Sequence, residues 1–356
     1  MIDLTAMLGD DVKAFNEANP ATPIQLVGKA EFMNPGMSHK DRIAKAMLDA
    51  AAARGDLMDS SGKKKTILAA SSGNTGCSLA LIGTLMGYDV VIITNKKCSA
   101  EKCAHIRTNG ATLWLAEELP GMFPNDLDGV TDYMAQETVL CTNYPDKYFS
   151  VNQYDNLDNM QAHYDTTGKE IWEQTEGKVT HFVMAGSTGG TIMGVGKYLK
   201  EKKGDDNVRI VLSDPHKSHL VGLLEKDRGM GSATLDKVNS LIKQEGGVKV
   251  EGAGKGSLTK IMSHGGVLKY VDEGIHVHDF DCFEECRNIA TRCGLLVGGS
   301  AGCNVAAARV IAERCAKEGP KEGGVTIVTL LCDHGIKYMS KIFNDEWISK
   351  NDNRVK

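Results

Sequence analysis

Residues 34–45, NPGMSHKDRIAK, place an amine, Lys40, in the first turn of what reads as a helix. That end of a helix carries partial positive charge and disfavours a second cation. An amine so placed and buried holds its proton less tightly. A neutral amine is what a carbonyl group needs to form a Schiff base. The plainer alternative is a solvated lysine on a helix start. Three further stretches join a strand to a helix through glycines and hydroxyls. The first carries Ser71, Ser72, Gly73, Asn74, Thr75 and Gly76; the second Ser187, Thr188, Gly189, Gly190 and Thr191; the third Gly298, Gly299, Ser300 and Gly302. Glycine lets backbone approach a ligand closely, and the free N–H groups of a helix start favour an anion. One such turn is ordinary punctuation, but three in the same context point to ligand binding at one edge of a sheet. No G-x-x-x-x-G-K-[ST] occurs, and Gly194-x-Gly196 falls inside a helix pattern, so ATP and NAD lose ground. A phosphate monoester and a carboxylate suit two of the loops.

These turns need elements to hold them. Strands are predicted at 65–70, 89–94, 111–116, 180–186 and 208–214, with helices at 74–87, 99–110 and 191–203. The Lys40 helix starts at a capping-box-like Ser38-x-x-Asp41 and stops at Gly55. Strand–helix alternation implies parallel sheets covered on both faces. Residues 217–262 read as helix plus loop, and 348–356 as a frayed tail.

The chain has 356 residues, 42% apolar and 24% charged, with a net charge of −5. That fits a globular protein with a sizeable core and gives no electrostatic reason to expect nucleic acid. No apolar run reaches membrane-spanning length, and the acidic N-terminus lacks a signal-peptide pattern. Cytoplasmic residence is the expectation. The ten cysteines are scattered without a C-x-x-C pair and read as reduced packing residues. Cys98, Cys103 and His105 lie close in sequence, but no second ligand group follows to complete a metal site.

Together the motifs resemble the pyridoxal-phosphate enzymes of the cysteine synthase and cystathionine β-synthase family, of the tryptophan-synthase-β-like fold (fold type II). NPGMSHKDR looks like the cofactor-lysine motif, SSGNTG the substrate-carboxylate loop, STGGT the phosphate loop and GGSAG the pyridine-nitrogen motif. QAHYDTTGKEIW and GIKYMSKIFNDEW match outside the site, and the likeness spans roughly residues 20–347. The resemblance implies two twisted, mainly parallel α/β domains with pyridoxal 5′-phosphate between them. The larger would comprise 1–40 and 149–347, and the smaller, mobile one 41–148. It implies that Lys40 holds the cofactor and moves the Cα proton, and that Asn74 bonds the ring O3′. Ser71, Ser72, Gly73 and Thr75, with Gln153, would hold the amino-acid carboxylate. Ser187, Thr188, Gly189, Gly190 and Thr191 would cradle the phosphate, and Ser300 would face the pyridine nitrogen. A neutral hydroxyl there makes the cofactor a weaker electron sink than a carboxylate would. The implied reaction is β-replacement on L-serine or an O-activated L-serine by a sulfur nucleophile, through an aminoacrylate, in a homodimer taking amino-acid and thiol substrates. β-Elimination, and a non-catalytic regulatory relative, are the alternatives.

The chain departs from the family at several points. Ser187 replaces the usual glycine. Lys255 stands where cystathionine β-synthases usually carry tyrosine, either greeting an anionic second substrate or lying solvated in its loop. Met37 and His39 flank Lys40 unusually, QYDNLDN lacks the usual prolines, and the segment before Lys40 is short. Neither a haem segment nor a regulatory module is expected.

Overall fold

The computed structural model describes every residue except Lys97, Asn353, Val355 and Lys356. The chain divides into two compact units, one of residues 1–33 with 160–356 and one of residues 34–159. The second unit begins before and ends after the expected 41–148. The bonds of Asp41 to Gly36 and Ser78, and of Gln153 to Thr75 and Asn159, tie both flanks into it.

The first unit is built on a six-stranded sheet. Its strands are β1 (Ile2–Asp3), β2 (Ile24–Ala30), β7 (His181–Ala185), β8 (Arg209–Pro215), β9 (Glu273–Val277) and β10 (Val325–Leu331), in the order β1-β2-β10-β7-β8-β9. Every pairing is parallel except β1 with β2. Side chains alternate between two apolar clusters, as the strand period of two requires. Val183, Ala185, Ile327 and Leu331 enter one cluster with residues of the helices Asp279–Cys293 and Gly299–Glu318. Phe182, Met184, Val328 and Leu330 enter the other with residues of the helices Gly190–Lys203 and Leu220–Asp227. Burial on both faces explains why these strands read as continuous apolar runs.

The second unit carries four parallel strands, β3 (Thr66–Ala70), β4 (Val90–Thr94), β5 (Thr112–Leu115) and β6 (Tyr148–Ser150), in the order β5-β4-β3-β6. Leu68, Val91 and Ile93 pack with Leu119, Leu127 and Leu140 on one face. The Lys40 helix runs Lys40–Arg54 and ends on a left-handed Gly55, the common glycine stop.

Residues 217–262 hold three helices, Leu220–Asp227, Ala233–Glu245 and Lys260–Ser263. Residues 348–351, expected to fray, are the end of a helix, Asp345–Asn351. Asn344 caps it, and Lys249 Nζ donates to the Asn351 carbonyl; the expected tail otherwise falls partly outside the described residues. Among the described residues no helix is long and apolar enough to cross a membrane.

Candidate active site

In the unit of residues 34–159, Lys40 is the first residue of its helix and is half-buried. The turn before it is shaped by Asp41. One carboxylate oxygen accepts the Gly36 N–H at 2.6 Å and the other the Ser78 hydroxyl at 2.5 Å. Ser78 lies in the helix Asn74–Leu85, one turn past Asn74. A single carboxylate therefore ties the start of the Lys40 helix to the helix that Asn74 begins. The Asp41 side chain fills the space a Cβ on Gly36 would need. Met37 has φ +56, a conformation uncommon outside glycine and asparagine, and it sits within this same turn. His39 is buried.

The Ser71–Thr75 loop follows β3. The Ser71 hydroxyl accepts the N–H groups of Gly73 (3.3 Å) and Gly76 (3.0 Å), so it shapes the loop from behind. Ser72, Gly73 and Asn74 are partly exposed. Gly73 caps the helix with extended backbone and no side-chain bond, which leaves helix-start N–H groups for an anion. The Thr75 hydroxyl donates to Gln153 Oε1 at 2.7 Å, joining two predicted carboxylate-binding residues 78 positions apart. Asn152, beside Gln153, also has positive φ. Glu137, missed by sequence reading, accepts the Ala70 N–H at 2.7 Å and the Ser150 hydroxyl at 2.5 Å, pinning the strand that feeds the loop. Burial pushes its carboxyl above the ordinary range.

In the other unit, β7 runs into Ser187–Thr191. Gly189 caps the helix Gly190–Lys203 with φ +89 and no side-chain bond. A Cβ there would lie 2.5 Å from Met262 Cγ. Thr188, Gly189, Gly190 and Thr191 are buried, and the Thr188 hydroxyl accepts the Gly190 N–H. Ser187 is not among the residues with positive φ, so serine replaces the usual glycine without backbone strain. The loop offers helix-start N–H groups and hydroxyls and contains no carboxylate, a donor set suited to a phosphate. Its supports come from far along the chain. Thr259 donates to the Thr188 carbonyl at 2.8 Å and caps the Lys260–Ser263 helix, which carries Met262. Gly254 N–H donates to the Gly186 carbonyl.

Ser300 is buried in the first turn of the helix Gly299–Glu318. Lys255 is half-buried; its N–H donates to Ser218 Oγ and its carbonyl accepts the His219 N–H.

None of the ten cysteines is joined in a disulfide. Burial pushes the Cys98 thiol up to about 12, so it keeps its proton, as a packing residue does. Among the described residues the group with metal-ligand spacing is instead His216, Glu245 and His278. β8 and β9 pair Pro215 with Val277, so the next residues, His216 and His278, meet with ring centroids 4.1 Å apart. Their Nδ1 atoms accept the N–H groups of Asp279 and Phe280, which occupies the Nδ1 lone pairs. Lys217 sits 3.2 Å from Asp279 and 3.9 Å from Glu245. With those lone pairs occupied and a cation already present, the cluster is an ion-pair network rather than a metal cradle.

The family described as "Pyridoxal-phosphate dependent enzyme" matches residues 13–333. The chain is 34% identical over 333 residues to cysteine synthase 2 of Schizosaccharomyces pombe, covering 93% of this chain and 80% of that protein. It is 31% identical over 343 residues to cystathionine beta-synthase of Dictyostelium discoideum, covering 96% of this chain and 61% of that protein. Among solved structures it resembles O-acetyl serine sulfhydrylase isoform 3 from Entamoeba histolytica, with a TM-score of 0.73 and 29% identity, covering 96% of this chain and 87% of that one.

Proposed function

Because the chain belongs to the pyridoxal-phosphate-dependent enzymes, we propose that it catalyses β-replacement on L-serine or an O-activated L-serine with a sulfur nucleophile, forming cysteine or a thioether. The observation that carries this reading is the Asp41 clamp, which holds the start of the Lys40 helix to the helix begun by Asn74. Names and likeness of the relatives support the same chemistry.

Lys40 would hold the cofactor through its amine, Asn74 would bond the ring hydroxyl, Ser187–Thr191 would take the phosphate and Ser300 would face the ring nitrogen. The phosphate loop, rich in N–H groups and hydroxyls and without a carboxylate, fits that group. When bound, the cofactor supplies an electron sink for charge at the substrate Cα. The rest falls to the chain. Ser72, Gly73 and Thr75, with Gln153, orient the substrate carboxylate through backbone N–H groups and hydroxyls. Ser71 holds their loop in shape. Lys40 Nζ takes the Cα proton, and loss of the β-substituent opens the carbon to a thiol. The Ser300 hydroxyl, being neutral, would not hold the ring nitrogen protonated, and so would favour departure of the β-group over build-up of negative charge. We place the enzyme in the cytoplasm as a homodimer, in keeping with its net charge of −5 and with the family's usual assembly.

The test is the visible spectrum of the purified protein beside Lys40→Ala, before and after L-serine, O-acetyl-L-serine, O-phospho-L-serine and L-cysteine. A band that depends on Lys40 and shifts with one donor identifies the leaving group. A protein that stays colourless after reconstitution with the cofactor sinks the enzyme reading. Pyruvate released without added thiol, and no thioether with it, would make elimination the activity.

A further inference from the structure

Behind the Ser187–Thr191 loop lies a histidine that the catalytic reading leaves unused. His163 is fully buried and opens a π-helical turn, His163–Gly168, a distortion common near functional sites. The turn packs directly on the helix Gly190–Lys203. Gly194 permits this, because a Cβ there would collide with the Met160 carbonyl and His163 Cβ. Both ring nitrogens of His163 meet hydroxyls: Nδ1 lies 2.9 Å from Thr167 Oγ1, and Nε2 lies 3.1 Å from Thr191 Oγ1.

We propose that His163 is a positioning residue that turns the Thr191 hydroxyl into a donor aimed at the cofactor phosphate; this rests on the phosphate-loop reading above. A neutral imidazole has one N–H and one lone pair, so two arrangements exist. If Nδ1–H donates to Thr167, the Thr191 O–H is spent on Nε2, and Thr191 can offer an anion only lone pairs. If Thr167 donates to Nδ1, Nε2–H donates to Thr191, and the Thr191 proton is left for the anion. Thr167 is fully buried, and its hydroxyl has His163 Nδ1 as its partner among the described residues. A buried hydroxyl that does not donate forfeits a hydrogen bond, so Thr167 sets the second arrangement. The chain Thr167→His163→Thr191 thus ends in a polarised donor at the helix start, where an anion is already favoured.

The experiment measures dissociation constants of the apoprotein for pyridoxal 5′-phosphate and for pyridoxal, which lacks the phosphate, by absorbance titration. The proteins are wild type, Thr191→Val, His163→Ala, His163→Gln, Thr167→Val and the double variant His163→Ala/Thr191→Val. His163→Ala is expected to weaken the phosphate ester about tenfold and to leave pyridoxal binding unchanged. The double variant should lose no more than Thr191→Val alone, since both remove one donor. His163→Gln, which keeps an N–H near the Nε2 position, should recover most of the loss. Thr167→Val, close in shape, keeps the idea testable if the alanine variant does not fold, and should shift the same ratio in the same direction. Equal weakening of both ligands by His163→Ala would mean the residue merely packs, and overturns the proposal. So would unchanged phosphate-ester binding in His163→Ala when Thr191→Val loses it. If Thr191→Val also binds both ligands like wild type, the phosphate-loop reading itself is wrong and the proposal goes with it.

Discussion

At Gly73 and at Gly189 a strand ends, the chain turns, and a helix begins on a glycine without a side-chain cap. A methyl group added at Gly73 would meet nothing within 4 Å, whereas one at Gly189 would lie 2.5 Å from Met262 Cγ. Gly73 is extended; Gly189 has φ +89. The loop around Gly73 is partly exposed, and the one around Gly189 is buried and braced by Thr259, Met262 and His163. The same turn design thus yields an open loop and a packed one. That division suits a substrate carboxylate that comes and goes and a phosphate that stays. Binding to a braced loop loses less conformational freedom.

The widest test of this contrast is a pair of alanine substitutions. Gly189→Ala combines a left-handed backbone with a clash and should cost about 2–5 kcal/mol, together with cofactor retention. Gly73→Ala should stay within about 1 kcal/mol of wild type, on either side, while raising KM for the amino acid. Urea unfolding of both proteins checks this; equal midpoints would erase the distinction.

A smaller effect is expected at the turn before Lys40. Asp41→Ala leaves the Gly36 N–H and the Ser78 hydroxyl without their acceptor in a buried setting, a loss of about 2–3 kcal/mol. Because the clamp also sets where Lys40 begins its helix, kcat should fall more than KM rises. Steady-state kinetics beside a melt separates the two effects. A variant that melts early but keeps its kcat would show that the clamp serves stability alone.

The smallest effect sharpens the contrast through pH. The strand entering the Gly73 loop is held by a titratable group, Glu137, whose carboxyl burial raises above its ordinary value. The folded protein then keeps that proton at pH values where the unfolded chain has lost it. Stability therefore falls as pH rises from about 4.5 through the folded value. Glu137→Gln should flatten this decline, seen as urea midpoints that change less as the pH is raised above about 4.5. The Gly189 loop is supported by the neutral Thr259, and Thr259→Val should lower the midpoint without changing its slope with pH.

Much of this was legible in the chain. The three glycine turns, the five predicted strands and the helix stop at Gly55 follow from local chemistry, since turns, caps and strand runs depend on neighbouring residues. Thr75 and Gln153, assigned together to the carboxylate, are hydrogen-bonded to each other. The supports were not legible. His163, Thr259 and Met262 lie 28, 68 and 71 positions from Thr191, and no local pattern marks a threonine as a brace. Glu137 in its helix looks like any charged residue until Ala70 and Ser150 close on it. Residues 217–262 were hard to read because Leu220–Asp227 and Lys260–Ser263 are short, and the longer Ala233–Glu245 buries only Val238. The meeting of His216 and His278 was not legible either, because the register of β8 and β9 brings them level.

The sequence by itself determined the kinds of turn, the residues able to do chemistry and the alternation that makes parallel sheets, because each depends on backbone preference and near neighbours. Tertiary structure alone decided which glycine turn is packed and which is open, and which hydroxyl a buried histidine orients. Those properties belong to the atoms behind a loop, and only the folded chain brings them there.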